Sequence, residues 1–311
     1  MSSVEAAIEV SQLSKSYGRS EALKPLDLVV PRGSIFALVG HNGAGKTTLI
    51  KLLLNMIRPT SGAAKVLGSP AATLTGASFT RIGFVSEEQE MPGWMTVQGL
   101  MDYLRPFYPT WDCERLLETM DLPLDRKLSQ LSRGMRMKAA LASVLAFRPD
   151  LILMDEPFSG LDPLVRDELI EALLDRMNDE DSPGGMTVLV SSHDLAEVES
   201  LATHVAFLHR GRLLFAEPMA TVTSRFREVT VTLGPGGPPG KNSAMPDSWL
   251  LPESTASVYR FIYTDAGSGL LEEQVRTVLP HAIDTQAEPM TLRTIFLALA
   301  KSNQRPDRSR A

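Results

Sequence analysis

Cysteine is nearly absent from this 311-residue sequence: Cys113 is its one example, so no disulfide can close within the chain and a reducing compartment is expected. Positive charge is in short supply too. The 31 Lys and Arg residues are outnumbered by 37 Asp and Glu, a formal net charge of −6 at pH 7, which gives the chain as a whole no basis for binding nucleic acid. Long apolar runs are missing, and none approaches the roughly 18–20 residues that a membrane helix needs. Residues 1–10 carry Glu5 and Glu9 and have no basic stretch ahead of an apolar core, unlike a secretory signal. There is no internal repeat. What remains is an ordinary globular composition, 43% hydrophobic and 22% charged, which excludes collagen-like and wholly disordered classes. At roughly 150 residues per domain the length allows about two domains, and a cytosolic protein is expected.

From about residue 5 to 218, short apolar runs alternate with helical periodicity. Residues 34–40, 151–155 and 187–192 read as buried parallel strands, being short, apolar and bounded by turn signals. Leu49, Ile50, Leu53, Met56 and Ile57 have helical spacing, with Pro59 as the stop. Asp162-Pro163 reads as an N-cap and first-turn proline opening a helix through about Met177, and Asp194 is placed to cap the next one. Strands alternating with helices predict an α/β layer architecture. Residues 90–147 are rich in Met and Leu and read as a helical insertion. Beyond Pro218 the composition shifts. Gly234-Pro235-Gly236-Gly237-Pro238-Pro239-Gly240 is a loop by composition, with strands expected at 229–233 and 257–263 and helices at 270–279 and 292–300. Residues 301–311 form a polar tail expected to be mobile.

Gly40-His41-Asn42-Gly43-Ala44-Gly45-Lys46-Thr47, followed by Thr48, is the phosphate-loop pattern in its required context, after a strand and before a helix. Glycines are needed there because the backbone must wrap a phosphate so closely that side chains would collide, leaving N–H groups and a positive helix end to face the anion. Lys46 is placed to reach the β- and γ-phosphates and the Thr47 hydroxyl to ligate Mg2+. The second signal is the apolar strand 151–155 ending in Asp155, Glu156 and Pro157. An acidic pair at a strand end is usually a solvated turn. Beside a phosphate loop it suits Asp155 to holding Mg2+ and Glu156 to polarising a water.

Taken in order, these motifs resemble the nucleotide-binding subunit of ATP-binding cassette (ABC) transporters, of the single-cassette type serving exporter-like permeases. The likeness spans roughly residues 5–218. It implies an α/β P-loop NTPase with a mainly parallel sheet core and a helical subdomain at about 88–147. Residues 219–311 then form a small α+β C-terminal accessory domain. Leu131-Ser132-Arg133-Gly134-Met135 stands where the family has its signature loop, usually Leu-Ser-Gly-Gly-Gln, which contacts the ATP of the opposite protomer. Ser132 is equally suited to capping the helix that follows. Asp162, in Ser159-Gly160-Leu161-Asp162, matches the loop that links the two sites across a dimer, and His193 matches the switch histidine that touches the γ-phosphate and the attacking water. His204 and His209 fit no motif and are expected to be structural. Tyr17 sits where the family stacks an aromatic ring on adenine, the alternative being an exposed loop tyrosine.

Two motifs depart from the family pattern. Glu87 stands where a glutamine senses Mg2+ and the membrane partner, with Gln89 two positions on, and brings a charge that glutamine lacks. Arg133 and Met135 replace glycine and glutamine in the signature, Arg133 either adding positive charge near the opposite nucleotide or pointing to solvent. The resemblance implies ATP and Mg2+ as cofactors, with Thr47 and Asp155 on the metal and Glu87 as a further candidate. It implies a second cassette, of the same or a different chain, and a separate integral-membrane permease. Location is then the cytoplasmic face of the cell membrane. Phe107-Tyr108-Pro109-Thr110-Trp111-Asp112 and the C-terminal appendage are similar to those of exporter subunits. Met91, Trp94, Met95 and Met101 are either core or an adaptable docking patch. Chromosome-associated cassette ATPases insert a long coiled coil between phosphate loop and signature, whereas here fewer than about 90 residues intervene without sustained heptads. Ribosome-associated members carry two cassettes, and this chain has one. A nucleotide-gated regulator with little hydrolysis is the remaining alternative.

Overall fold

The computed structural model describes residues 5–178, 185–239 and 245–302, in two compact units, Met1–Ala216 and Glu217–Ala311. Gly240 of the glycine-proline loop and residues 303–311 of the polar tail lie outside the described residues. The first unit opens with β1 (Ala6–Tyr17), β2 (Ser20–Pro31) and β3 (Ile35–Val39), followed by α1 (Lys46–Leu53), β4 (Ser61–Val66) and β5 (Ser69–Pro70). Next come α2 (Gly76–Phe79), β6 (Ile82–Ser86), α3 (Val97–Leu104), α4 (Glu114–Thr119) and α5 (Arg133–Leu145). It continues through β7 (Leu151–Asp155), α6 (Pro163–Met177), β8 (Thr187–Ser192), β9 (His204–His209) and β10 (Arg212–Pro218).

Two sheets result. One is antiparallel, in the order β2-β1-β4-β5; the other has six strands in the order β10-β9-β3-β8-β7-β6. Neighbours from β9 through β3, β8 and β7 to β6 run parallel. Every residue of β3, β7 and β8 is buried, as a parallel sheet covered on both faces requires. α1 contacts β2 and β4 of one sheet and β7 of the other, and Leu49, Ile50, Leu52 and Leu53 are buried in the core the two sheets share. That core is continuous from Ile8 and Leu13 through Phe36 and Leu38 to Leu153 and Leu189.

The carboxyl ends of the parallel strands set the site. β3 is in register with β8 at Val39↔Ser192, β6 with β7 at Ser86↔Asp155, and β7 with β8 at Asp155↔Ser191. The loops after β3, β6, β7 and β8 therefore leave the sheet on one side, where open α/β sheets bind ligands.

Strands β7 and β8 and helix α6 take the bounds read from sequence. Helix α1 does not: it ends at Leu53, and Met56 and Ile57 lie beyond it. The Leu54 N–H still bonds the Ile50 carbonyl at 3.0 Å, but Asn55 turns to φ +57°, a left-handed conformation that asparagine tolerates, and Met56 is left exposed. Residues 90–147 are mainly helical, with an isolated Thr96↔Lys127 bridge.

In the second unit α7 (Met219–Arg225), β11 (Arg227–Leu233), β12 (Trp249–Ser254), β13 (Val258–Tyr263), α8 (Leu271–Val278), β14 (Ala282–Pro289) and α9 (Leu292–Ser302) follow in order. The strands form an antiparallel sheet, β12-β13-β11-β14. Its own core contains Val229, Val231, Trp249, Tyr259, Phe261, Tyr263 and Val275, and the Trp249 and Phe261 rings stack 3.7 Å apart. Phe261→Ala empties the centre of that core and is expected to lower the unit's unfolding free energy by about 3–5 kcal/mol. A denaturant titration followed by tryptophan fluorescence reads this, and a loss under about 1 kcal/mol would contradict the packing.

Candidate nucleotide site

The phosphate loop is built from backbone. Gly40 donates its N–H to the Ser192 carbonyl at 3.2 Å, fastening the loop to the end of β8, and the Ala44 N–H bonds the His41 carbonyl at 3.0 Å. Gly45 closes the loop at φ +111°, where an added Cβ would also stand 2.6 Å from the Ala22 carbonyl oxygen, so only glycine fits. It is the N-cap of α1 and offers no side chain to the first-turn N–H groups. No acidic residue occupies that turn. His41, Asn42 and Gly43 are exposed, leaving the N–H-lined, positive end of the helix on an open face.

Lys46 turns inward. It is buried, with Nζ 2.5 Å from the Gly40 carbonyl, 3.4 Å from that of His41 and 2.9 Å from Glu156 Oε1. Glu156 follows β7 at φ +52°, a left-handed conformation that costs a non-glycine residue about 1 kcal/mol or more. That turn aims its carboxylate back at the loop. Its other oxygen, Oε2, lies 2.7 Å from His193 Nδ1 and accepts the His193 backbone N–H at 3.2 Å. Lysine, glutamate and histidine from three segments thus form one chain.

Burial pushes the Glu156 carboxyl up, but the His193 hydrogen bond and the Lys46 ammonium outweigh it and hold it below the usual range. The bond to Glu156 raises His193 above its ordinary 6.5, against a smaller opposing effect of burial.

Beside this chain Asp155 is buried, its Oδ1 accepting from the Ser191 hydroxyl at 2.6 Å, while the same hydroxyl accepts the Glu156 N–H at 3.0 Å. Ser191 therefore orients both carboxylate residues, a role not read from sequence, where its one signal is a polar pair inside an apolar strand. Ser192 does related work. Its hydroxyl stands 2.6 Å from Glu197 Oε2, and burial raises that carboxyl. Asp194 caps a single 3-10 turn rather than a helix, accepting the Ala196 N–H at 3.0 Å.

Ser132 accepts the Met135 N–H at 3.2 Å as N-cap of α5, and Asp162 accepts the Leu164 N–H at 2.9 Å as N-cap of α6. Gly134 lets these helices close together, since a Cβ there would meet Val165 at 3.0 Å. The Arg133 guanidinium is engaged within its own chain, by the Glu87 carboxylate and the Ser159 carbonyl. Glu87 is correspondingly paired with Arg133. Tyr17 is half exposed, with Lys15 Nζ 4.9 Å from its ring centre. His204 stacks on Phe36 and His209 is buried, as expected of structural residues. Met101 is core and Trp94 is exposed, with Met91 and Met95 between those extremes.

The raised His193 contributes stability that is fully present below the ordinary histidine value and lost as pH rises through the raised one. The lowered Glu156 contributes above the usual glutamate range and loses that contribution as pH falls through its own value. An NMR titration of the His193 ring should show a midpoint above 6.5 that drops in Glu156→Gln. A midpoint unmoved by that substitution would mean that the two side chains do not pair.

A family model described as ABC transporter matches residues 23–159, and one described as AAA domain, putative AbiEii toxin, Type IV TA system, matches residues 124–199. The bacitracin transport ATP-binding protein BcrA of Enterococcus faecalis is 30% identical over 233 residues, which cover 73% of this chain and 74% of that one. The daunorubicin resistance ATP-binding protein DrrA3 of Streptomyces coeruleorubidus is 34% identical over 218 residues, covering 68% and 67%. Among solved structures, an ATP-binding subunit of an ABC transporter superposes with a TM-score of 0.63 at 27% identity, covering 70% of this chain and 91% of that one. A dimeric ATP-binding cassette in a post-hydrolysis state with ADP and Pi shares the fold, with a TM-score of 0.58 at 23% identity over 68% of this chain and 98% of that one. With such relatives at 30% identity or more over two thirds of the chain, it belongs to the ATP-binding subunits of ABC transporters, an ATPase family.

Proposed function

We propose that the loop 40–47 receives the triphosphate of ATP and that Glu156 acts as general base on the attacking water. The observation that carries this is the Lys46–Glu156–His193 chain, which places a cation, a carboxylate and an imidazole beside an open phosphate loop. As the phosphates arrive, Lys46 trades its carboxylate partner for a phosphate oxygen. Glu156, held below the usual range, stays unprotonated near neutral pH and ready to accept the water's proton. His193 fixes the orientation of that carboxylate and presents its ring to the γ-phosphate. Tyr17 is assigned to the adenine, with Thr48 on the phosphates behind Lys46.

Among the described residues no group of three or more His, Cys, Asp and Glu could cage a metal. Thr47 and Asp155 supply hard oxygen donors beside the loop, a set that fits Mg2+ completing its shell from phosphate oxygens and water. When bound, Mg2+ supplies charge neutralisation at the transferring phosphoryl group. Asp155 is held for that task by Ser191.

We further infer that two cassettes pair head to tail, each offering Ser132, Gly134 and Met135 to the nucleotide of the other, with Asp162 in the linking loop. A ligand held only by the closed pair, at 100 times its dissociation constant, stabilises closure by about 2.7 kcal/mol per site. Hydrolysis removes that adhesive and the pair reopens. Among the described residues no helix is long and apolar enough to cross a membrane, so the stroke is assigned to a separate permease at the cytoplasmic face. Relatives named for bacitracin transport and daunorubicin resistance favour export as its direction.

Glu156→Gln is expected to bind ATP with near-native affinity while turnover falls by about 10²-fold or more, and to run as a larger species with Mg-ATP than without. Calorimetry, phosphate release and light scattering read the three outcomes. Normal turnover in the variant would remove Glu156 as base. Constant mass would remove the self-paired closure, and wild-type protein without Mg-dependent turnover would favour the nucleotide-gated regulator.

A further inference from the structure

Two of the departures from the family pattern, Glu87 and Arg133, stand against each other. Arg133 is the first residue of α5, and its Nη2 donates to the Glu87 carboxylate and, at 2.6 Å, to the Ser159 carbonyl. The guanidinium also packs on Gly160, where an added Cβ would sit 3.1 Å from Nη1. These contacts reach two segments of the site. Glu87 follows β6 and donates its own N–H to the Asp155 carbonyl at 3.1 Å. Ser159 and Gly160 follow Glu156, the Ser159 N–H bonding the Glu156 carbonyl at 3.3 Å. One planar cation therefore joins the start of the signature helix to the segment after β6 and to the loop after Glu156.

Neither change makes sense alone. A carboxylate at 87 without its cation puts a further negative charge beside Asp155 and Glu156, where a polyanion must bind. An arginine at 133 without Glu87 has one backbone carbonyl left for a fork that suits two acceptors. Both side chains are about a third or more exposed, and exposed ion pairs contribute little stability, so the pair matters for placement and local charge instead.

We propose that Arg133 is a positioning residue for ATP hydrolysis: paired with Glu87 in its own chain, it neutralises that carboxylate and holds α5, the segment after β6 and the loop after Glu156 in one register. This rests on the ATPase reading above. The two departures are then one compensated exchange.

The test is a double-mutant cycle on full-length protein, with kcat and KM for Mg-ATP and the ATP dissociation constant measured for each variant. Arg133→Gly is expected to lower kcat/KM by about 10-fold or more and to weaken ATP binding, because Glu87 is left uncompensated. Glu87→Gln alone lowers kcat. The double variant recovers at least about 5-fold over Arg133→Gly, a coupling that independent sites do not produce. Arg133→Lys keeps the charge but not the fork, and is expected to restore KM more fully than kcat. Single effects that multiply within about 2-fold would overturn the pairing, as would losses that follow thermal midpoint across all four variants. Glu156→Gln serves as the control: if it retains turnover the ATPase reading itself fails, whereas an inactive Glu156→Gln with a multiplicative cycle sinks the pairing alone.

Discussion

A buried ammonium held between two backbone carbonyls and a carboxylate governs the first unit of this molecule. Taking Lys46 out of water is strongly unfavourable unless its charge is met, and Gly40, His41 and Glu156 meet it. The arrangement works because β3 and β7 end on one side of a parallel sheet, so that the residue after a glycine-rich loop and the residue after an apolar strand arrive face to face. A phosphate oxygen can take the place of the carboxylate at Lys46 without stranding either group, since Glu156 keeps His193 as its second partner. On the proposed mechanism these groups already hold the charges that hydrolysis needs.

One strained residue sits at the Lys46 contact. Glu156 holds a left-handed backbone, and Ser191 bonds both its N–H and the neighbouring Asp155 carboxylate. Such a conformation persists only where the surroundings over-determine it. Here they consist of β8 on one side and the phosphate loop on the other. Outside this centre, Ser132 and Asp162 spend their side chains as caps, and Gly134 admits α6 close to α5. Residues that the family resemblance assigns to a partner's nucleotide therefore also hold their own helices in place.

The parts of the fold legible in sequence were those where one local signal sufficed. β7 and β8 are uninterrupted apolar runs buried on both faces, and α6 announces its start with Asp162-Pro163. The antiparallel sheet went unread because β1 and β2 shift register repeatedly, as between Val10 and Leu13, which breaks the period-two alternation by which a half-buried strand is recognised. Apolar spacing alone carries helix α1 too far, since it continues past the point where Asn55 turns the backbone. At the site, loop and carboxylates could be found by motif. The Arg133–Glu87 pair could not, for its members are 46 residues apart in the chain and meet only when α5 is laid across the ends of β6 and β7. Ser191 stayed hidden for the same reason.

In the proposed mechanism Lys46 is the group that passes from protein carboxylate to phosphate. Calorimetric titration of Lys46→Ala with Mg-ATP, beside its phosphate-release rate and thermal midpoint, tests that most directly. The account predicts ATP affinity at least about 10-fold weaker and no measurable turnover in a protein that remains folded, the loss expected when a charge-assisted partner of a phosphate is removed. An ATP titration and a turnover rate both matching those of the native chain would contradict it.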